Sequence, residues 1–331
     1  MKIDKLIKDL GVSKNPVHLI DVGASGGIHE RWFPLRDVLV VIGFEPDERE
    51  FHKLKPSKNE VWYNTALYAD NTEHNLYVTR WQTNTSLLKP NYPIIERLCY
   101  PNGNDFEIVK TLKIKCRKLD DVLDEKGLQL DAIKLDTQGS ELFILQGAAR
   151  YLQDCVFAVE SEVEFIKLYE DQPLFRDVDF FMQSKGFQLI DCGNLTYIKG
   201  ANTAGIGGEK GQLTSADALY FKSVQSVKQT LGENGQEKLA AIIMICLAYG
   251  YPDYALEVCK EVEKEDLIEK DLLKSWSSIL SKCRHYSALI PGFPGRARLV
   301  RMLSGASAML GRFSHANWLN PLGNSIRFLK K

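Results

Sequence analysis

Through residue 222 the apolar residues fall into short runs separated by polar stretches of helical period. This alternation predicts a mostly parallel sheet with helices on both faces. Runs at 17–21, 38–45 and 60–67 predict the first three strands, with a helix at 47–54 between the second and third. Apolar and polar positions alternate at 75–79 and 111–116, which predicts two exposed strands. The Pro- and Asn-rich 89–104 stretch between them reads as a loop long enough to serve as a substrate-facing lid. The rhythm resumes with a helix at 119–125, a strand at 130–136, a helix at 140–151, a strand at 155–160 and a helix at 175–185. Strands at 187–191 and 218–222, separated by a glycine-rich loop at 200–212, predict an antiparallel edge added to the parallel sheet.

Beyond 225 the pattern is helical: 236–249 and 254–263 form a hairpin broken at Gly250-Tyr251-Pro252, and 264–282 is a further helix. The expected fold class is α/β: a doubly wound, mostly parallel seven-stranded sheet with an antiparallel edge, followed by a C-terminal helical region. The boundary is expected between 224 and 225, giving units of 1–224 and 225–331. A chain of 331 residues with 44% hydrophobic content can fill one larger and one smaller core.

Charge changes this picture only at the end of the chain. With 42 basic against 43 acidic residues, the whole chain does not announce a nucleic-acid partner. After Asp271, however, no acidic residue occurs, while Lys274, Lys282, Arg284, Arg296, Arg298, Arg301, Arg312, Arg327, Lys330 and Lys331 do. Three readings of this tail stay open. It could be a solvated basic surface, a face of Leu299, Val300, Met302, Leu303, Met309, Leu310 and Phe313 lying with its arginines on an anionic membrane, or a contact for an acidic protein. The seven cysteines show no Cys-x-x-Cys pair and read as reduced core thiols. Residues 1–10 predict a short amphipathic helix rather than a signal peptide, and no run reaches the roughly 20 apolar residues of a membrane span. The expected location is cytoplasmic, with peripheral membrane contact if the tail has that role.

The chemistry concentrates at Leu19-Ile20-Asp21-Val22-Gly23-Ala24-Ser25-Gly26-Gly27, followed by Val40-Val41-Ile42-Gly43-Phe44-Glu45-Pro46. A strand ending in a glycine turn lets backbone approach a ligand, and an acid closing the next strand can accept hydrogen bonds from two ribose hydroxyls. The pattern is that of a Rossmann-like nucleoside half-site. The dinucleotide fingerprint wants glycines at its third and sixth positions, where Ser25 and Ile28 stand, so NAD fits less well than S-adenosylmethionine, which has no pyrophosphate. The carboxylate and ammonium of its amino-acid tail could sit against the 23–27 turn, with Asp21 facing the ammonium. Gly23-Ala24-Ser25-Gly26-Gly27 also spells the Gly-x-Ser-x-Gly elbow of hydrolases, but no histidine occurs between His74 and His285 to complete a triad.

Five segments, in order and spacing, resemble the FkbM-type family of S-adenosylmethionine-dependent methyltransferases. They are Asp21-Val22-Gly23-Ala24-Ser25-Gly26-Gly27, Gly43-Phe44-Glu45-Pro46-Asp47, Asn64-Thr65-Ala66-Leu67, Thr85-Ser86-Leu87 and Asp131-Ala132-Ile133-Lys134-Leu135-Asp136-Thr137-Gln138-Gly139-Ser140-Glu141-Leu142. The resemblance covers roughly 16–222. This sequence departs from it at Ser25, where the family commonly has Asn, and at Gln138, where it commonly has Glu. The resemblance implies an S-adenosylmethionine site in which Asp21, Gly23, Ala24 and Gly27, with Ser25 in the same turn, hold the methionine part. It implies that Glu45, next to Pro46, takes the ribose hydroxyls and that Thr65 and Ala66 lie by the adenine.

Methyl transfer to oxygen requires alignment and removal of a proton. Asp136, ending the fourth strand, is the candidate nearest the methyl group, and it also counts with the cofactor set. Glu141, Glu160 and Glu162 could cluster with it and raise one another's pKa. His29, after the glycine turn, is a second candidate base. Thr85 and Ser86, with Glu162, would shape the acceptor pocket. A divalent metal held by Asp136 and a neighbouring Glu would serve the same end, but carboxylates alone give no diagnostic spacing and no metal ligand is assigned. The expected activity is O-methylation of a hydroxyl, which the resemblance places on a sugar of a polysaccharide, glycolipid or glycosylated natural product. The acceptor is thus a small molecule or glycan. The competing readings are an NAD-dependent oxidoreductase and a cofactor-binding scaffold without catalysis, the latter motivated by Gln138 and by the large helical addition.

Overall fold

A computed structural model describes residues 17–98, 103–201, 211–231, 234–264 and 268–283, with Lys8 and Thr203. The expected amphipathic helix at 1–10, most of the 200–212 loop and the basic tail from Arg284 onward lie outside the described residues.

β1 (Val17–Val22) runs parallel to β2 (Leu39–Phe44), and the connection is a glycine turn followed by a 3-10 helix over Glu30–Val38 that contains Pro34. A short helix, α1 (Glu48–Phe51), leads to β3 (Glu60–Tyr63), which pairs with β2 in parallel. The single third strand expected at 60–67 is two strands. Asn64 Nδ2 donates to the carbonyls of Glu45 at 2.8 Å and Pro46 at 3.2 Å, and Thr65 N donates to Tyr63 O at 3.0 Å. This tight turn ends the ladder, and β4 (Ala66–Leu67) enters a second sheet. There β5 (Glu73–Thr79) precedes α2 (Tyr92–Arg97) and then β6 (Ile108–Arg117), in the sheet order β4-β6-β5. The 89–104 stretch expected as a loop therefore holds a helix. Its Ile95 packs with Phe106, Leu168 and Tyr169, a small core of its own that anchors the segment.

The main sheet continues through α3 (Leu119–Lys126), β7 (Ala132–Leu135), α4 (Glu141–Gly147), α5 (Ala149–Asp154), β8 (Ala158–Glu164), α6 (Phe175–Ser184), β9 (Phe187–Ile198) and β10 (Gln212–Lys222). Its seven strands lie in the order β3-β2-β1-β7-β8-β10-β9, with β10 antiparallel to both neighbours, as the expected antiparallel edge requires. Strand order reverses between β1 and β7, and the crevice at the carboxyl ends of such a pair is where open α/β sheets bind ligands.

After β10 come α7 (Val224–Thr230), α8 (Gly235–Tyr249), α9 (Pro252–Lys264) and α10 (Lys270–Ser281). Gly250, with φ +87°, ends α8 in the left-handed conformation and Pro252 opens α9, so Gly-Tyr-Pro makes the hairpin turn the sequence predicts. These helices cover one face of the sheet. Val17, Leu19, Leu39, Val41, Ala132, Ala158, Leu219 and Phe221 pack in one core with Leu239–Tyr249 of α8 and with apolar residues of α9 and α10. The opposite face, with Ile20, Ile42, Ile133 and Val159, packs against α3 to α6. Two polar ties fix α8 along the sheet: Lys238 Nζ meets Asp131 Oδ1 at 2.5 Å, and the buried Tyr249 donates its hydroxyl to Glu160 at 2.7 Å. All six described cysteines are free, and burial raises their thiol pKa values, as expected of core thiols.

Candidate functional site

A cavity of about 180 Å³ opens at the carboxyl ends of β1, β2 and β7. Its walls bring together Gly23, Ser25, Glu45, Pro46, Thr65, Ala66, Thr85, Ser86 and Asp136, residues drawn from all five of the sequence segments.

The glycine turn has a steric logic. Gly23 has φ +76°, and a Cβ placed on it would lie 1.9 Å from the carbonyl oxygen of Asp136, so only glycine lets the ends of β1 and β7 meet. Gly26 and Gly27 both have φ +81°, with open space where a side chain would project. Ser25 donates to Glu50 Oε2 at 2.9 Å, and that carboxylate also pairs with Lys53. The serine is thus a fixed turn residue facing an acid, not a nucleophile facing a histidine.

Glu45 follows β2 and is buried at 7% exposure. Its Oε1 accepts from Asp47 N at 2.7 Å. Burial pushes its pKa up to about 7, with the hydrogen bond from Asp47 opposing and the charges of Asp47, Glu50 and Asp21 adding. Asp47 caps α1 and holds the Arg49 guanidinium, which also donates to Thr85 Oγ1 at 3.1 Å and to Thr79 O at 3.1 Å. That clamp joins α1 to β5 and positions Thr85. Ser86 donates to the Gln138 carbonyl at 2.8 Å and accepts from Leu88 N, tying the second sheet to the loop after β7.

Asp136 is exposed in the cavity wall. Beside it Gln138 adopts φ +58°, and its amide Nε2 donates to Asp136 Oδ1 at 3.1 Å and to Glu162 Oε2 at 2.8 Å, while its Oε1 accepts from Tyr169 at 3.2 Å. An amide here bridges two carboxylates that a glutamate would repel. Burial, then the charges of Asp136 and Glu164, push the Glu162 carboxyl well above its usual range.

Several expected site residues lie outside the cavity lining. Glu141 is buried, and its Oε1 accepts from Thr137 N at 2.7 Å, Thr137 Oγ1 at 3.0 Å and Gly139 N at 3.2 Å, which shapes the loop carrying Asp136. Glu160 pairs with Arg31 at 2.5 Å and with Tyr249, away from the cavity. His29 caps the 3-10 helix: its Nδ1 accepts from the Arg31 backbone at 3.2 Å, and burial, then the charges of Arg31 and Lys134, lower its pKa to about 4. It is neutral across the physiological range, with its acceptor nitrogen engaged. Asp21, 1% exposed, faces Lys134 and not the open space. Ala24, Gly27 and Glu162 are likewise absent from the lining. The cavity adds residues that the motif reading passed over, namely Glu50, Gln82, Thr83, Lys134, Thr137 and Ser140. Lys134 had a signal, a lysine inside an otherwise apolar strand; Gln82 and Thr83 had none.

Among the described residues, no group of three or more His, Cys, Asp or Glu side chains is arranged to hold a metal ion. Among them, too, no helix is long and apolar enough to cross a membrane.

The family model of the methyltransferase FkbM domain matches residues 21–189. No curated protein matches the chain. Among solved structures, magnesium protoporphyrin IX methyltransferase from Synechocystis with bound SAM is 11% identical, with 67% of this chain and 78% of that chain covered and a TM-score of 0.33. A putative RNA methyltransferase from Pyrococcus horikoshii is 12% identical over 66% of this chain and 81% of its own, with a TM-score of 0.30. TrmK from M. capricolum, in complex with S-adenosyl-homocysteine, is 8% identical over 83% and 94%, with a TM-score of 0.30.

Proposed function

The chain belongs to the FkbM methyltransferase family, and from that premise we propose that it transfers a methyl group to a hydroxyl of a sugar in a polysaccharide, glycolipid or glycosylated natural product. It is a methyltransferase whose cofactor is S-adenosylmethionine. The residues present fit that cofactor. The positive-φ glycines leave open space above the 26–27 turn, and the Glu45 carboxylate in the cavity wall suits a ribose diol. Gly23 and Ser25 would hold the methionine end, and Thr65 and Ala66 the adenine. When bound, the cofactor supplies a methyl group on a positively charged sulfur.

The observation that carries the acceptor reading is the chemistry of the wall around Asp136. Gln82, Thr83, Thr137 and Ser140 surround the cavity with hydroxyl and amide groups, which suit a polyhydroxylated acceptor, and Asp136 stands exposed among them. In this reading Asp136 accepts the proton that the acceptor hydroxyl loses, and Gln138, itself anchored on Glu162, holds its carboxylate in place. Effective alignment contributes about 7–11 kcal/mol to such a step, and a base adds roughly 10²–10⁴-fold. Because the tail has no acidic residue after Asp271, a lipid-linked or anionic glycan is the favoured acceptor.

The test is transfer of labelled methyl groups from S-adenosylmethionine to a panel of glycans and glycolipids. O-methyl sugar should be recovered after acid hydrolysis, and deleting 285–331 should weaken both vesicle co-sedimentation and activity on anionic acceptors. Label found only on amines would overturn the hydroxyl reading.

A further inference from the structure

Register across the sheet puts Asp21 beside Lys134 and Lys134 beside Glu160, so three charged side chains of adjacent parallel strands share one row and one face. Glu160 is taken by Arg31 and Tyr249. Lys134 Nζ lies 3.3 Å from Asp21 Oδ1, and the two differ in access: the lysine side chain is 19% exposed and lines the cavity, whereas the aspartate is sealed behind it at 1%. An ammonium has three N–H donors, and Asp21 takes one of them.

The glycine turn next to it offers few donors of its own. Gly23 N and Ala24 N are directed at the Phe44 carbonyl, and Gly27 N at Ala24 O. Gly23 packs against the backbone of Asp136, two residues beyond Lys134, and Gly23 and Lys134 line the same cavity. Among the lining residues Lys134 is the cation, set against Glu45, Glu50 and Asp136. A ligand whose amino-acid end carries both a carboxylate and an ammonium would find its anion partner in Lys134 and acidic partners elsewhere in the wall.

Resting on the methyltransferase reading, we propose that Lys134 binds the carboxylate of the cofactor's methionine end, and that Asp21 serves as the lysine's buried counter-ion and not as a ligand. This reverses the expectation that Asp21 faces the cofactor ammonium. The geometry also explains why a lysine is tolerated in a strand that is otherwise apolar: its charge is neutralised from behind and used in front.

The experiment is calorimetric titration with S-adenosylhomocysteine and with its decarboxylated analogue, S-adenosyl-3-thiopropylamine. Wild-type protein is compared with K134M and with D21N/K134M, the double variant removing the carboxylate that the single variant would strand. The wild type is expected to prefer the carboxylate-bearing ligand roughly 10- to 100-fold. Both variants should lose that preference while binding the decarboxylated analogue within about threefold of wild type. A preference retained in either variant or absent from the wild type, or a decarboxylated analogue weakened as much as S-adenosylhomocysteine, would overturn the assignment alone. Wild-type protein that binds neither compound would overturn the methyltransferase reading itself.

Discussion

Glu45 gives the most quantitative test of the nucleoside half-site, because its burial ties cofactor affinity to pH. Its folded pKa is raised from 4.5 to about 7, first by desolvation. Ribose hydroxyls donate hydrogen bonds, and these favour an ionised acceptor. If the anionic form receives the ribose, apparent affinity follows the ionised fraction. At pH 5.5 that fraction is about 3% and at pH 8 about 90%, so S-adenosylhomocysteine should bind roughly 30-fold more weakly at the lower pH. Glu45→Gln should flatten this profile and cost roughly tenfold in affinity at pH 8. Stability has the opposite dependence. A raised folded pKa means that the native state binds the proton more tightly, so the contribution is full below pH 4.5 and is lost as pH rises through about 7. The rise from 4.5 to about 7 sets an upper bound of about 3 kcal/mol, and the variant should approach that gain over wild type in denaturant unfolding at pH 8. A wild-type affinity that stays constant from pH 5.5 to 8, or a variant with the same slope as wild type, would refute the assignment.

Four further outcomes are expected. Asp136→Asn should lower kcat by roughly 10²–10⁴-fold while leaving S-adenosylhomocysteine affinity within about threefold, measured by transfer assay and calorimetry. Gly23→Ala should abolish cofactor binding or folding, because its Cβ would meet the Asp136 carbonyl at 1.9 Å; thermal melts with and without ligand distinguish the two losses. Tyr249→Phe removes a buried hydrogen bond to Glu160 and should cost about 1.5–3 kcal/mol in denaturant unfolding, although Tyr249 lies 60 residues past the end of the family match. Gln138→Glu replaces an amide that bridges Asp136 and Glu162 with a third acid. It should destabilise the protein by about 1–3 kcal/mol, more at pH 8 than at pH 6.

The order of the parallel strands was legible because β1, β2, β7 and β8 are short apolar runs set off by glycine, acid and helix-period segments. The split of the third strand was hidden, since 60–67 reads as one strand and the break is made by an Asn64 side chain reaching back to carbonyls nineteen and eighteen residues away. The helices after β10 carried a clear signal that composition obscured. Residues 239–249 are apolar all round, the pattern of a helix buried on every side, and they cover a sheet face that the 30–38 segment, broken by Pro34, is too short and irregular to cover. The place of Gly23, Glu45, Thr65, Ser86 and Asp136 in the cavity wall was legible because each ends a strand or follows one, where an open sheet leaves its crevice. Glu141, Glu160 and His29 lie outside the cavity lining for a shared reason. Sequence shows an acid or a base near the site, but only the fold shows that its lone pairs are spent on Thr137, Arg31 and Tyr249, or a helix cap.

Parallel calorimetric titration of the intact protein with S-adenosylhomocysteine and with NAD tests the central claim most directly. Saturable one-to-one binding of S-adenosylhomocysteine, with no heat from NAD, is the expected result; binding of NAD, or silence from both, would contradict it.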